Sequence, residues 1–307
     1  MNKRALAIFA AIGATIIYGL NHTIAKGVMP DYVKPFGFIM LRVIGASILF
    51  WAISYFGPKE KIDKKDYPRM LLCAVLGMGA NMLVFFKGLS LSTPINSAVL
   101  VTITPIIVVV LSALFIKEKI IAKKLIGIGI GFLGALGLIF FSVESRQDAP
   151  NIPLGNFLIL MNSVFYGSYL IGAKTLIAKY HPFTFMKWLF TIGIFLCLPF
   201  GYQELTEIDW QNLPFETLWK ITFVIVGTTF CTYLFNIFAL TQLKASTVSA
   251  FVYVQPLIGI IYALATGRDT LTTVKILAAC LVFLGVYLAS RKPSSSRAVD
   301  THTNKTN

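Results

Sequence analysis

Of the 27 Lys and Arg residues in this 307-residue chain, Lys26, Arg42, Lys87 and Lys174 fall inside or at the ends of long apolar stretches. Arg42 stands seven residues beyond Pro35, roughly 10 Å into a helix starting there at 1.5 Å per residue. A charge at that depth in an apolar medium costs several kcal/mol and needs a partner or water. Two readings are open for it. The guanidinium grips a carboxylate or phosphate through two parallel hydrogen bonds, or it extends to the interface or caps the broken end of another helix. His22, flanked by Asn21 and Thr23, is the one histidine in such a stretch. An imidazole there binds a carboxylate or takes up a proton, or it is neutral and hydrogen-bonded across helices to Ser, Thr or a backbone carbonyl. Lys26, Lys87 and Lys174 sit at the ends of their stretches, where lysines ordinarily reach for the interface. Lys87 is the better placed of the three to meet an anionic group.

Pro105 and Pro256 lie mid-stretch. Each removes one helical hydrogen bond and crowds the carbonyl four residues back, that of Val101 or Val252. At membrane depth such a break is tolerated where protein or a watery cavity supplies partners. Thr102, Thr104, Tyr253 and Gln255 cluster beside the two prolines, and Asn81, Asn162, Tyr166, Thr232, Tyr233 and Asn236 add uncharged polar groups to other stretches. Any one of these serves equally as interhelical glue. The candidate substrate-binding set is therefore Asn21, His22, Arg42, Asn81, Lys87, Thr102, Thr104, Asn162, Tyr166, Asn236, Tyr253 and Gln255, with Pro105 and Pro256 as helix breaks. The thirteen acids all fall in loops or at stretch ends, which argues against coupling through an intramembrane carboxylate. Facilitated exchange, or coupling through another titratable group, remains. No Walker motif or Gly-rich phosphate loop is present and no cofactor is implied.

The elements that must position these groups follow from composition. Apolar residues make up 56% of the chain, charged residues 13%, and mean hydropathy is +0.76. A water-soluble surface needs more charge than that. Crossing a bilayer core takes roughly 20 mainly apolar residues, and ten such stretches are predicted: 5–26, 35–56, 68–89, 95–116, 123–142, 154–174, 183–202, 217–240, 246–266 and 273–290. They are long and unalternated, hence helices, and the fold class is an all-α polytopic membrane protein. With the N-terminus in the cytoplasm, eighteen Lys and Arg residues face that side and five the other: Lys34, Arg146, Lys220, Arg268 and Lys275. That asymmetry places both termini in the cytoplasm. The net charge of +14 is then a matter of topology, with affinity for anionic lipid and not for nucleic acid.

Cys73, Cys197, Cys231 and Cys280 lie within stretches at no metal-type spacing and read as small apolar residues. In the fifth stretch Gly127, Gly131 and Ala135 recur every four residues. Such a face lets another backbone approach closely, within one chain or across a homodimer seam. Residues 143–153 read as a linker, and 291–307 as a disordered cytoplasmic tail.

The chain also repeats itself. Tyr18-Gly19 and Ala25-Lys26 return 148 residues later as Tyr166-Gly167 and Ala173-Lys174, while Pro105 and Glu118 return at an offset of 151 as Pro256 and Asp269. Each copy holds five crossings, so the second enters the membrane from the opposite side. Inverted copies with matching helix breaks are how many secondary transporters alternate access to a site at the repeat interface. The first copy, with Tyr18-Gly19, Pro35, Leu41-Arg42, Pro105, Phe115-Ile116-Lys117-Glu118 and a Gly-rich fifth stretch, resembles the EamA family of the drug/metabolite transporter superfamily. The second keeps Tyr166-Gly167, Pro182 and Pro256 but has Leu189 near the place of Arg42. The resemblance covers residues 6–290. It implies a first repeat over 5–142, a second over 154–290, and a carrier of small metabolites, often an exporter of amino acids. The expectation is a secondary carrier of a small polar or zwitterionic metabolite in the cytoplasmic membrane. A membrane-embedded enzyme or a channel on the same bundle is the alternative; the one would show turnover and the other unsaturable flux.

Overall fold

The computed structural model describes residues 3–115, 117, 122–142, 147–243, 248, 251 and 253–290. Glu118, the Val252 carbonyl, residues 143–146 of the linker and the tail 291–307 lie outside the described residues. All regular structure among those described is helical. Ten elements account for it: α1 (Lys3–Lys26), α2 (Pro35–Ser54), α3 (Lys64–Leu91), α4 (Pro94–Phe115), α5 (Ala122–Phe141), α6 (Ile152–Lys179), α7 (Pro182–Thr206), α8 (Phe215–Gln242), α9 (Gln255–Ala265) and α10 (Thr273–Ser290). Nine of these or their apolar stretches are long enough to cross a membrane, and α9 is the shorter tenth. Large apolar side chains such as Phe9, Ile48, Phe140 and Phe195 point outward and exposed, as a lipid-facing surface requires.

Two features recur at the repeat offset. The chain of α4 breaks at Thr102-Ile103 between Pro94–Val101 and Thr104–Phe115, and a turn at Tyr253-Val254 precedes Gln255-Pro256 in α9. In addition α3 widens into a π-helix over Val75–Ala80, and α8 does so over Phe223–Cys231. The two π segments begin 148 residues apart, although neither contains proline. Such bulges make room for an extra residue and favour functional sites. The packing repeats as well. α2 lies along α7 and α5 along α10, while α1 on α8 matches α6 on α3. The core divides accordingly: one apolar cluster draws on α1–α3 and α6–α8, the other on α4–α6, α9 and α10.

Small residues make the closest crossings. A Cβ on Gly285 would stand 2.4 Å from the Gly131 nitrogen, and one on Gly127 would stand 2.6 Å from that of Ala289. The small-residue face of α5 is thus filled by α10 of the same chain. Gly19 gives the Tyr-Gly motif its reason, because a Cβ there would lie 2.8 Å from the Gln255 carbonyl. α1 thereby meets α9 at its break. The repeat partner, Gly167, lies against Ile107, Val108 and Leu111 of α4 just past Pro105.

Ties at the two ends fix the bundle. On the face carrying the α2–α3 loop, Asp66 accepts a 2.6 Å hydrogen bond from the Tyr180 hydroxyl, while Lys179 pairs with both Asp63 and Asp66. On the opposite face Glu204 at the end of α7 accepts from the Phe36 and Gly37 amides at 2.6 and 2.9 Å. A carboxylate at a helix N-terminus satisfies orphan donors and complements the dipole. Beside it Lys34 and Glu207 pair at 2.6 Å. Their hydrogen bond holds the Glu207 carboxyl below its ordinary range and raises the Lys34 ammonium above its own.

Candidate functional site

The mid-depth polar groups of α1, α2, α3, α6 and α8 converge. Arg42, half-buried on α2, donates through Nε to Thr229 Oγ1 at 2.8 Å, and its guanidinium lies 5.4 Å from the centre of the Phe86 ring. Thr229 belongs to the π segment of α8, and its own hydroxyl donates to the Val224 carbonyl five residues back at 2.9 Å. The bulge therefore presents to Arg42 an oxygen already locked in place. Among the described residues the guanidinium has no carboxylate partner, and its two terminal nitrogens have no hydrogen-bond partner. Tyr18 and Tyr233 are near enough to interact with its charge. Tyr18 also lies near Tyr166 and Tyr169, and Tyr169 lies near Tyr233. Tyr166 packs on Tyr169 with ring centres 5.8 Å apart and remains 39% exposed midway along α6. Tyr18 and Tyr166 are the repeat-related pair, and both belong to this neighbourhood.

The aromatic wall continues to α1. Phe85 packs edge-on to Phe86 at 5.2 Å, and the His22 ring packs edge-on to Phe85 at 5.8 Å. His22 Nδ1 and Ser97 Oγ of α4 are 2.9 Å apart, the interhelical hydrogen bond expected of a neutral imidazole. Its neighbour Asn21 is buried at 4% exposure, and its Oδ1 has no hydrogen-bond partner among the described residues. Asn81 and Asn162 join α3 to α6 reciprocally, each side-chain amide donating to the other's backbone carbonyl at 3.3 and 3.1 Å.

The helix break in α4 is satisfied from within. Thr104 Oγ1 donates at 2.7 Å to the Val101 carbonyl, the group Pro105 leaves without its helical donor, and lies 3.2 Å from Ser163 Oγ of α6. Thr102 donates to the Val99 carbonyl at 2.6 Å. The matching carbonyl in the second half, Val252, falls outside the described residues.

Other expected residues stand apart from the cluster. Tyr253 bonds Ser290 Oγ at 3.1 Å in a cleft of about 480 Å³ lined by Leu257, Phe283, Val286 and Tyr287. Lys87, Asn236 and Gln255 are half-buried, with no side-chain hydrogen bond among the described residues. Lys26 does not reach for the interface. It is buried at 6% exposure and donates to the Leu89 and Ser90 carbonyls at 2.9 and 2.8 Å, capping the last turn of α3. Lys174, its repeat partner, is exposed.

Sequence reasoning missed two groups. Tyr169 and Tyr233 become part of the site only through packing, although Tyr233 carried a signal as a polar residue in mid-stretch. Asp269, read as a loop acid, forms a fully buried ion pair with Lys275 at 2.8 Å and accepts from the Ile95 amide at 3.0 Å. The α9–α10 loop thus caps the start of α4. Pro94 opens that helix, and a proline at the first position was the available sign of an N-terminus seeking a cap.

Comparison with known proteins gives one family. The model of the EamA-like transporter family matches twice, over residues 5–140 and 153–291. An uncharacterized transporter of Archaeoglobus fulgidus is 26% identical over 85% of this chain and 90% of its own length. The uncharacterized transporter YyaM of Bacillus subtilis is 22% identical over 91% of this chain and 92% of its own. A solved crystal structure superposes with a TM-score of 0.61 at 14% identity, covering 94% of this chain and 98% of that one. It shares the fold.

Proposed function

Because the chain belongs to the EamA-like transporter family, we propose that it is a secondary carrier that exports or exchanges a small polar or zwitterionic metabolite, such as an amino acid. In this reading it sits in the cytoplasmic membrane with both termini cytoplasmic. The two five-helix halves rock about the tyrosine cluster and expose it to either side in turn. One observation carries the substrate class: a half-buried guanidinium at mid-depth, held by Thr229 and Phe86, has no carboxylate partner among the described residues. A cation in that setting is stabilised by an anionic group arriving from solution, and its free terminal nitrogens form the fork that grips a carboxylate. The ring faces of Tyr18, Tyr166, Tyr169 and Tyr233 suit the ammonium of a zwitterion. His22 serves as a wall of the site through Phe85 and Ser97. No cofactor enters the cycle, and the physiological partners are the substrate and the lipid bilayer. Should the protein form a homodimer, the seam lies elsewhere than on the α5 face that α10 fills.

A thermal-shift panel on purified protein tests this reading, since a ligand that binds the native state raises the melting point by mass action. Amino acids, nucleosides, sugars and phosphorylated metabolites form the panel. Stabilisation by amino acids, abolished in Arg42→Gln, is the expected result. Stabilisation by neutral sugars or nucleosides that survives Arg42→Gln would overturn the substrate class.

A further inference from the structure

A groove of about 780 Å³ opens where the α2–α3 loop, the first turns of α3 and the start of α7 meet. Its rim carries three ammonium groups, those of Lys61, Lys64 and Lys187. Among the described residues none of the three pairs with an acid. One acid, Glu60, also lines the groove and accepts from the His181 amide at 2.8 Å, while nearby Asp63 and Asp66 are held by Lys179, so the lysines outnumber the acid three to one. The Lys187 ammonium lies over the Trp51 ring at 4.7 Å and 3.5 Å from Ser54 Oγ, contacts that hold it without neutralising its charge. The lining also includes apolar Met70, Leu71 and Ile192 and two amphipathic rings. Those rings, Tyr67 and Trp188, are 55% and 37% exposed, and Leu71 is 50% exposed.

We propose that this groove is a specific site for one anionic phospholipid, its phosphate held by Lys61, Lys64 and Lys187 and an acyl chain lying along Leu71 and Ile192. Charge and depth select the occupant together. Tyr and Trp settle at the membrane–water boundary, so the ammoniums stand at headgroup level and the apolar floor at chain level. Clustered basic residues at that level attract anionic lipid by about 1 kcal/mol each, close to fivefold in affinity. A free phosphate would use the lysines and leave the apolar floor uncovered. Because α3 belongs to the first half and α7 to the second, the lipid would bridge the two halves at one end of the bundle.

Native mass spectrometry of the intact protein, offered phosphatidylglycerol and phosphatidylcholine with identical acyl chains, is the test. Expected is preferential retention of one phosphatidylglycerol, falling about fivefold for each lysine removed in the series K64Q, K61Q/K64Q and K61Q/K64Q/K187Q. The variant K59Q/K65Q/K117Q removes as much charge outside the groove and is expected to retain the preference. If the triple variant does not insert, K64Q alone decides the matter. Equal retention of the two lipids, equal losses in the two triple variants, or displacement by millimolar inorganic phosphate would overturn the proposal. A change of oligomeric mass in the groove variants would assign the surface to a second copy of the chain and overturn it as well.

Discussion

The proposed chemistry of this protein concentrates at a single side chain, Arg42. Its Nε is committed to Thr229 and its face to Phe86, which leaves the fork of terminal nitrogens for a ligand. Hydrogen bonds to a charged group are worth about 1.5–3 kcal/mol each. Arg42→Gln is therefore expected to weaken binding of a carboxylate substrate roughly 10- to 100-fold, read as the concentration that half-saturates the thermal shift. Arg42→Lys keeps the charge but loses the fork and the Thr229 contact, and an intermediate loss is expected. Asp269 behaves differently, because its partners are internal. Removing one member of a buried pair leaves the other charge uncompensated, at about 3–5 kcal/mol. Asp269→Asn should lower the unfolding free energy by that order in a reversible denaturation experiment. The sequence singled out Arg42 by its depth beyond Pro35 and marked Asp269 only as the repeat counterpart of Glu118, since an acid in a loop is ordinarily solvated and only packing of the α9–α10 loop on α4 buries it.

At the scale of elements, breaks and π bulges recur in pairs at the repeat offset. Thr104 occupies the Val101 carbonyl, so α4 tolerates its break without a ligand. Pro105→Ala and Pro256→Ala are expected to change transport rate more than melting temperature, and unchanged flux in correctly inserted protein would remove the breaks from the mechanism. Gly19 faces a backbone carbonyl with no room to yield. Gly19→Ala should destabilise the fold by about 1–3 kcal/mol through overpacking, measurable as a lower melting point. The tie between α2 and α7 is pH-dependent in a defined sense. Glu207 is depressed by its hydrogen bond from Lys34, and Lys34 is raised by the same bond. Their contribution is thus full between the two ordinary pKa values, about 4 and about 10. It is lost as pH falls through the depressed carboxyl or rises through the elevated ammonium. The melting difference between the native chain and Glu207→Gln should be flat from pH 6 to 9 by that reasoning and shrink toward acid. The prolines were legible because their backbone chemistry is local. The π segments were not, since Val75–Ala80 and Phe223–Cys231 contain ordinary apolar and threonine residues whose widening is decided by what packs against them: Tyr169 on Gly77, and Arg42 on Thr229.

Across the whole molecule, the ten helices and their duplication follow from composition and from the returning Tyr-Gly and Pro positions, and the structure bears out that count and class. What composition could not place is the nearness of Tyr18 to Tyr166, which needs the second half folded against the first. Nor could it place Tyr253, a polar neighbour of Pro256 that turns to Ser290 and a separate cleft. The duplication is also incomplete. The part of α7 that corresponds to Arg42 holds buried Leu189 and Phe190, so in the proposed site the cation comes from the first half alone. The proposed rocking of those halves requires the tyrosine cluster to meet water from each side of the membrane in turn. The direct measurement is thiol labelling of Tyr166→Cys, in a chain lacking the four native cysteines, by a membrane-impermeant reagent added to either side of sealed vesicles. Labelling from both sides, in vesicles whose lumen stays closed to the reagent, is the expected result. Labelling from one side only, or a reagent that passes through the protein into the lumen, would contradict alternating access.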